Sequence, residues 1–516
     1  MARVRSQEEP WSGQTPAWLD ARARAFPERP ALVTGAHRWS FGQLDAAASR
    51  VAHWLAGSGI TAGTRAAVLM RNGASFVATT HALTKLGAVM VPLHARLTKP
   101  ELVRQLDGVG ATAVICDGAL AALGQAAALP TVRALVAEEP EPEPHDRSGG
   151  GALGEGLPCP RLSLSSIQGI VHTSATSGTP KGVLLTYGNH WWSAVGAALH
   201  LGLQRDDCWL ACLPLSHVGG LAILWRSVIY GVPVILHDAF EPDVVNREID
   251  DGRVTLISLV GTMLQRLIDA RGQRPFPQRL RAILLGGGPI SPGLLETCVR
   301  RRIPIAPTYG LTETASQVAT LAPEDVSRKT GSAGQALFPT ELRIAASGRR
   351  RTAPGQVGEI LVRGPVVMRG YDGRPGDAAQ VLHGGWLHTG DLGYLDADGY
   401  LYVVDRRTDL VVSGGENVYP AEVERVLQSH PAVEDTCVVG APDPLWGQVV
   451  VAAVLVRARP QTNADELKAF CAERLAMYKV PKHVWFVDGL PRSAGGKLLR
   501  YRVRERMAEL LRQRRS

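Results

Sequence analysis

The run HTSATSGTPKG, residues 172–182, gathers more chemistry than any other short stretch of the chain. Thr173, Ser174, Thr176 and Ser177 supply hydroxyls, Gly178 supplies an unobstructed backbone N–H, and Lys181 supplies a positive charge. Hydroxyl and amide donors closed by a lysine suit an anionic polyphosphate, because each oxygen meets a donor and the ammonium offsets the remaining charge. It is not a Walker A loop, since Lys181 is followed by Gly182 and the leading glycine spacing is absent. Alone, such a run is equally an ordinary Ser/Thr/Gly turn.

Four later stretches change that balance: Leu284–Pro289 (LLGGGP), Tyr309–Glu313 (YGLTE), Thr389–Asp391 (TGD) with Asp405 and Arg406, and Pro491–Lys497 (PRSAGGK). In this order the five motifs resemble those of the acyl-adenylate-forming superfamily, which includes acyl-CoA synthetases, firefly-type luciferases and the adenylation domains of peptide synthetases. The resemblance covers nearly the whole chain. Ala175 departs from it where glycine is usual, and Ser177 where threonine is frequent. It implies two half-reactions, in which a carboxylate attacks the α-phosphate of ATP and a thiol, coenzyme A, then displaces AMP.

Roles follow from the resemblance residue by residue. Thr173, Ser174, Thr176, Ser177, Gly178 and Lys181 would hold the ATP phosphates. Tyr309 would stack on adenine beside Gly286, Gly287, Gly288 and Gly310, whose missing side chains let backbone approach a flat base. Asp391 would accept from both ribose hydroxyls, with Arg406 as the second ribose contact. Thr312 and Glu313 would offer oxygen to Mg²⁺, a hard cation that favours carboxylate and phosphate ligands. Lys497 would bridge the reacting carboxylate and the α-phosphate, with Glu313 and His217 as its catalytic companions. Asp405 would be the hinge on which a small C-terminal domain swings, and Gly414, Gly415 and Glu416 would serve the coenzyme A step.

Three further stretches narrow the branch: Thr186–His190 (TYGNH), Ser413–Pro420 (SGGENVYP), and Leu213–Leu221 (LPLSHVGGL) running into Leu224–Gly231 (LWRSVIYG). They are similar to the branch of this family that joins o-succinylbenzoate, an aromatic keto acid with two carboxylates, to coenzyme A. His217 and Gly288 would then wall the acyl pocket. Arg226 lies within an apolar helix, where an unpaired guanidinium is costly. A second substrate carboxylate would relieve it, and so would a salt bridge to an Asp or Glu. The alternatives are a medium- or long-chain or aryl acyl-CoA synthetase and, from a different class, a catalytically silent nucleotide-binding relative. The presence of both Glu313 and Lys497 counts against the silent relative.

These residues need a scaffold. At 516 residues the chain exceeds one compact core. The expected division is an N-terminal ATP- and acyl-binding domain over 1–404 and a mobile C-terminal domain over 405–516. The Pro-, Glu- and Gly-rich stretch 138–156 reads as a flexible surface insertion. The expected class is α/β: parallel-rich sheets, a small β-barrel-like part after Gly355, and an α+β C-terminal domain. The segment AAVLMRNGASFVATTHALTKLGAVMVPL reads as strand, helix, strand.

Net charge is +8, but the arginines are spread along the chain, which speaks against a nucleic-acid partner. The seven cysteines form no C-x-x-C pair and read as reduced thiols of a cytoplasmic protein. No apolar h-region opens the chain, and the longest apolar run, Val218–Leu236, is broken by Arg226, Ser227 and Pro233, so no membrane insertion is expected. The expected partners are a small carboxylic acid, ATP and coenzyme A, with a homodimer left open.

Overall fold

The computed structural model describes residues 14–35, 37–142, 161–174, 180–288, 290, 292–345, 352–405, 410–457, 461–491 and 500–513. Most of the stretch 138–156 therefore lies outside the described residues.

Two large sheets build the N-terminal part. In one, the strands run in the order Gly370–Tyr371, Pro180–Thr186, Ile167–Ser174, Val89–Leu93, Arg65–Leu69, Ala113–Cys116 and Arg133–Val136. From Ile167–Ser174 onward the neighbours are parallel. The helix Ala74–Leu86 connects Arg65–Leu69 to Val89–Leu93, the strand–helix–strand unit expected there. In the other sheet, Ile305–Tyr309, Ala282–Gly286, Leu256–Val260, Trp209–Ala211, Val234–Leu236 and Pro30–Thr34 lie side by side, all parallel. Sheets covered on both faces need continuous apolar strands, and VMVPL, LISLV and AILLG supply them.

The apolar run that could have suggested a membrane folds as the helix Val218–Tyr230 and the strand Val234–Leu236, divided by Gly231 at φ 71°. Only glycine enters that left-handed conformation without strain. The helix is buried along most of its length, with Leu221, Leu224 and Trp225 in the central core. Among the described residues no helix is long and apolar enough to cross a membrane.

From Glu341 the texture becomes antiparallel. Glu341–Ala345, Gly358–Arg363, Trp386–Leu395 and Leu401–Asp405 form a small sheet. A separate sheet starts at Val411. Its long hairpin, Val433–Asp443 with Gly447–Val456, carries the helices Pro420–Gln428 and Ala464–Ala472 on one face and Arg500–Gln513 on the other. The molecule is thus an α/β protein with a large N-terminal domain and a smaller C-terminal one.

Candidate active site

A cavity of about 950 Å³ opens where the carboxyl ends of the parallel strands meet the C-terminal domain. That is the upper part of the usual range for ligand clefts, roughly 300–1,000 Å³. Chain reversals at these strand ends leave backbone donors and short loops free to meet a ligand. Thr173 enters from the end of Ile167–Ser174, Gly286 and Gly287 from the end of Ala282–Gly286, and Gly310 to Glu313 from the end of Ile305–Tyr309. Asp391 enters from Trp386–Leu395. Motifs that are more than a hundred positions apart thus share one cavity.

The glycines are there for space. A Cβ on Gly286 would sit 2.8 Å from Thr308 Cγ2, and Gly287 adopts φ +81°. Asp391 is 1% exposed, and the Tyr309 hydroxyl donates to its Oδ2 at 2.7 Å. Tyr309, expected to stack on adenine, is buried in the core and is not among the cavity-lining residues; its hydroxyl meets the Asp391 carboxylate. Glu313 is 5% exposed and its Oε1 accepts from the Tyr371 hydroxyl at 2.8 Å. Thr312 and Glu313 both line the cavity. A single carboxylate with substrate phosphates is the donor set Mg²⁺ takes, so the residues fit that ion.

Lys181 is not among the residues that line the cavity in this arrangement. Its Nζ pairs with Asp377 at 2.9 Å and lies 4.9 Å from the Tyr371 ring centre. Thr176, Ser177, Gly178, Arg406 and Lys497 lie outside the described residues, as do the side chains of Ser174 and Asp405.

The C-terminal domain closes the cavity with Gly414, Gly415, Glu416, Trp446 and Lys479. Gly415 has φ +87°, and a Cβ there would reach within 2.8 Å of Val260 on the opposite domain. Gly288 meets the same boundary, where a Cβ would touch Val412 at 3.5 Å. Glu416 is 4% exposed, and His217 Nε2 and His94 Nε2 each lie 3.1 Å from its carboxylate. The Arg96 guanidinium joins the same oxygen as His94. Burial alone would raise the pKa of Glu416, but the hydrogen bonds from His217 and His94 hold it well below the usual carboxylate range. Burial lowers the pKa of His94. His94, His217 and Glu416 come close enough to bind a metal, but Arg96 already supplies the carboxylate's positive partner.

Arg226 departs from the expectation. It is 1% exposed and does not reach the cavity wall. Its Nη2 donates to Gln317 Oε1 at 2.6 Å and its guanidinium lies 5.3 Å from the Trp209 ring centre. Among the described residues no carboxylate pairs with it, and its Nε has no hydrogen-bond partner there. Burial lowers its pKa. Gln317, which does line the cavity, is thereby fixed: its Oε1 faces Arg226 and its Nε2 donates to Thr320 Oγ1 at 2.8 Å.

Sequence reasoning missed His94, Arg96, Gln317, Tyr478 and Lys479, all of which line the cavity. For His94 a signal existed. It directly follows the buried strand Val89–Leu93, at a strand end where parallel sheets place functional groups.

Two family models match the chain: "AMP-binding enzyme" over residues 19–372 and "AMP-binding enzyme C-terminal domain" over 422–497. The chain is 48% identical over 495 residues to the 2-succinylbenzoate–CoA ligase of Geobacillus kaustophilus, covering 94% of this chain and 96% of that one. It is 40% identical to the o-succinylbenzoate CoA synthetase of Bacillus subtilis, covering 95% of this chain and 98% of that one in its complexes with the product analogue OSB-NCoA and with the acyl-adenylate intermediate OSB-AMP. The TM-score is 0.87 to a double mutant bound to the product analogue and 0.71 to the complex with the intermediate. The same enzyme with ATP and magnesium ion also gives 0.71.

Proposed function

This chain belongs to the AMP-binding enzyme family, and from that membership and the geometry of its cavity we infer that it is an ATP-dependent acid–CoA ligase. Its acid is 2-succinylbenzoate and its product 2-succinylbenzoyl-CoA, with AMP and pyrophosphate released, a step of menaquinone (vitamin K2) biosynthesis in the cytoplasm. The observation that carries this reading is that Thr173, Gly286, Gly310, Glu313 and Asp391 from one domain and Gly414 to Glu416 from the other line a single cavity.

In the first half-reaction the succinyl carboxylate attacks the α-phosphorus of ATP, the bond to pyrophosphate breaks, and an acyl-adenylate forms. Charge builds on oxygens in that transition state, so prepositioned donors and cations provide most of the acceleration. Thr173 and the rest of the loop through Lys181 meet the phosphates, and Asp391, oriented by Tyr309, takes the ribose hydroxyls. Thr312 and Glu313 would hold Mg²⁺, which would supply positive charge against the phosphates. Lys497 stabilises the developing anion in this step only, and Asp405 is the hinge that withdraws it.

In the second half-reaction the coenzyme A sulfur attacks the acyl carbonyl carbon and the bond to AMP breaks. The C-terminal face seen here belongs to this step. Glu416, brought from the C-terminal domain, orients His217 at the acyl end of the cavity, and Gly414 and Gly415 leave room beside it. Arg226 acts from behind Gln317: a buried cation that no carboxylate among the described residues meets makes that wall favourable for the second carboxylate of the acid.

ATP–pyrophosphate exchange with a panel of acids tests the reading. 2-Succinylbenzoate should support exchange far better than benzoate, a benzoate-esterified analogue or fatty acids. Preference for a monocarboxylic acid would replace the substrate assignment, and acid-independent exchange would overturn the ligase itself.

A further inference from the structure

The segment His94–Glu101, HARLTKPE, carries no motif, yet four of its side chains cross to the C-terminal domain. His94 and Arg96 meet Glu416, and the Arg96 guanidinium also lies 5.5 Å from the Tyr478 ring centre. Thr98 Oγ1 donates to the Arg474 carbonyl at 3.2 Å. Glu101 Oε1 takes Lys479 Nζ at 2.6 Å, and Glu422 Oε1 takes the same ammonium at 3.1 Å.

The last contact differs from the others in burial. Glu101, Lys479 and Glu422 are 2%, 4% and 4% exposed. Water no longer screens groups so enclosed, so the Lys479 ammonium must be met by carboxylate; two carboxylates exceed its single charge, and burial raises the pKa of Glu422. Glu101 belongs to the N-terminal domain, whereas Lys479 and Glu422 belong to the C-terminal one. The trio is therefore complete only when the domains stand as they do here, in the arrangement closer to the relative's product-analogue complex than to its acyl-adenylate complex.

We propose that His94–Glu101 is the docking platform for the C-terminal domain during thioester formation, and that Glu101, through Lys479, is a positioning residue for that half-reaction alone. The proposal rests on the acid–CoA ligase reading. Undocked, Glu101 keeps a local role, since its Oε2 accepts from the Thr98 N–H at 2.8 Å and caps the helix Lys99–Gly108. A glutamine can keep that cap but not the charge.

The test is Glu101→Gln in the full-length enzyme, with the half-reactions measured separately. Thioester formation from preformed acyl-adenylate and coenzyme A should slow by about ten- to a hundredfold, the range for losing one charged hydrogen bond. ATP–pyrophosphate exchange should stay within about twofold, and the melting temperature should not move. Adding Glu101→Gln to Lys479→Met should cost nothing further, because the partner is already gone. A parallel fall in both half-reactions, a lowered melting temperature, or multiplicative effects in the double variant would each overturn the docking role. So would an unchanged thioester rate. These outcomes are distinct from failure of the ligase reading, in which the unsubstituted enzyme would form no thioester.

Discussion

Arg226 and Lys479 are both buried cations beside the same cavity, yet they are compensated in opposite ways. Arg226 is met by an amide oxygen and an indole face, both neutral and both from its own domain. Lys479 sits between two carboxylates, one from each domain. A weakly hydrated, planar guanidinium tolerates neutral partners, whereas a compact ammonium needs anions. The first charge is a permanent part of the N-terminal core and leaves a positive field for an anionic substrate. The second is buried only when the domains meet, so its energy depends on their arrangement.

A third cation, Lys497, gives the largest effect and the sharpest contrast. Lys497→Ala should reduce ATP-dependent adenylation by roughly a hundred- to a thousandfold, the usual result of removing a charge-stabilising donor. Thioester formation from supplied acyl-adenylate should be nearly unchanged, the reverse of Glu101→Gln. Equal losses in both half-reactions would erase the distinction between the two lysines.

Arg226→Leu comes next. Leaving the buried Gln317 oxygen unpaired costs about 1–3 kcal/mol, and the lost field weakens the grip on the second carboxylate. kcat/KM for 2-succinylbenzoate should fall about ten- to a hundredfold, and that for its benzoate methyl ester much less. A parallel fall for the two substrates would make Arg226 purely structural.

The smallest effect concerns pH. His190 lies in the core near Arg226, and burial, with that charge adding to it, holds its pKa down to about 3. The folded chain therefore keeps this imidazole neutral while the unfolded chain takes up a proton below about 6.5. Stability is full above that value and is lost as pH falls towards the folded pKa. Between pH 7.5 and 5.5 the loss from this one group should be about 1.4 kcal/mol. Urea melts at the two pH values should show a fall smaller by that amount in His190→Gln. An identical pH dependence would mean that His190 does not stay neutral.

That Thr173, Gly286, Gly310, Glu313 and Asp391 share one cavity was legible in the sequence because they sit in short contiguous motifs at strand ends, where local spacing already implies a common surface. The parallel strands were legible for a similar reason: apolar runs such as LISLV and AILLG suit sheets covered on both faces. The contacts of Arg226 and those between the domains were not, because they join distant positions. Glu101 and Lys479 are 378 residues apart. Glu101 also caps the helix Lys99–Gly108, a local role that gives no sign of its contact with the other domain. Arg226 was correctly singled out as a buried cation, but an amide partner 91 positions away leaves no local trace.

One cavity, shared by two domains, converts 2-succinylbenzoate to its coenzyme A thioester through an adenylate. The most direct test is a single-turnover reaction of the purified enzyme with ATP, Mg²⁺ and 2-succinylbenzoate, chased with coenzyme A and followed by mass spectrometry. An acyl-adenylate should appear first and be replaced by 2-succinylbenzoyl-CoA and AMP. An adenylate that persists after coenzyme A is added, or a thioester formed without a preceding adenylate, would contradict it.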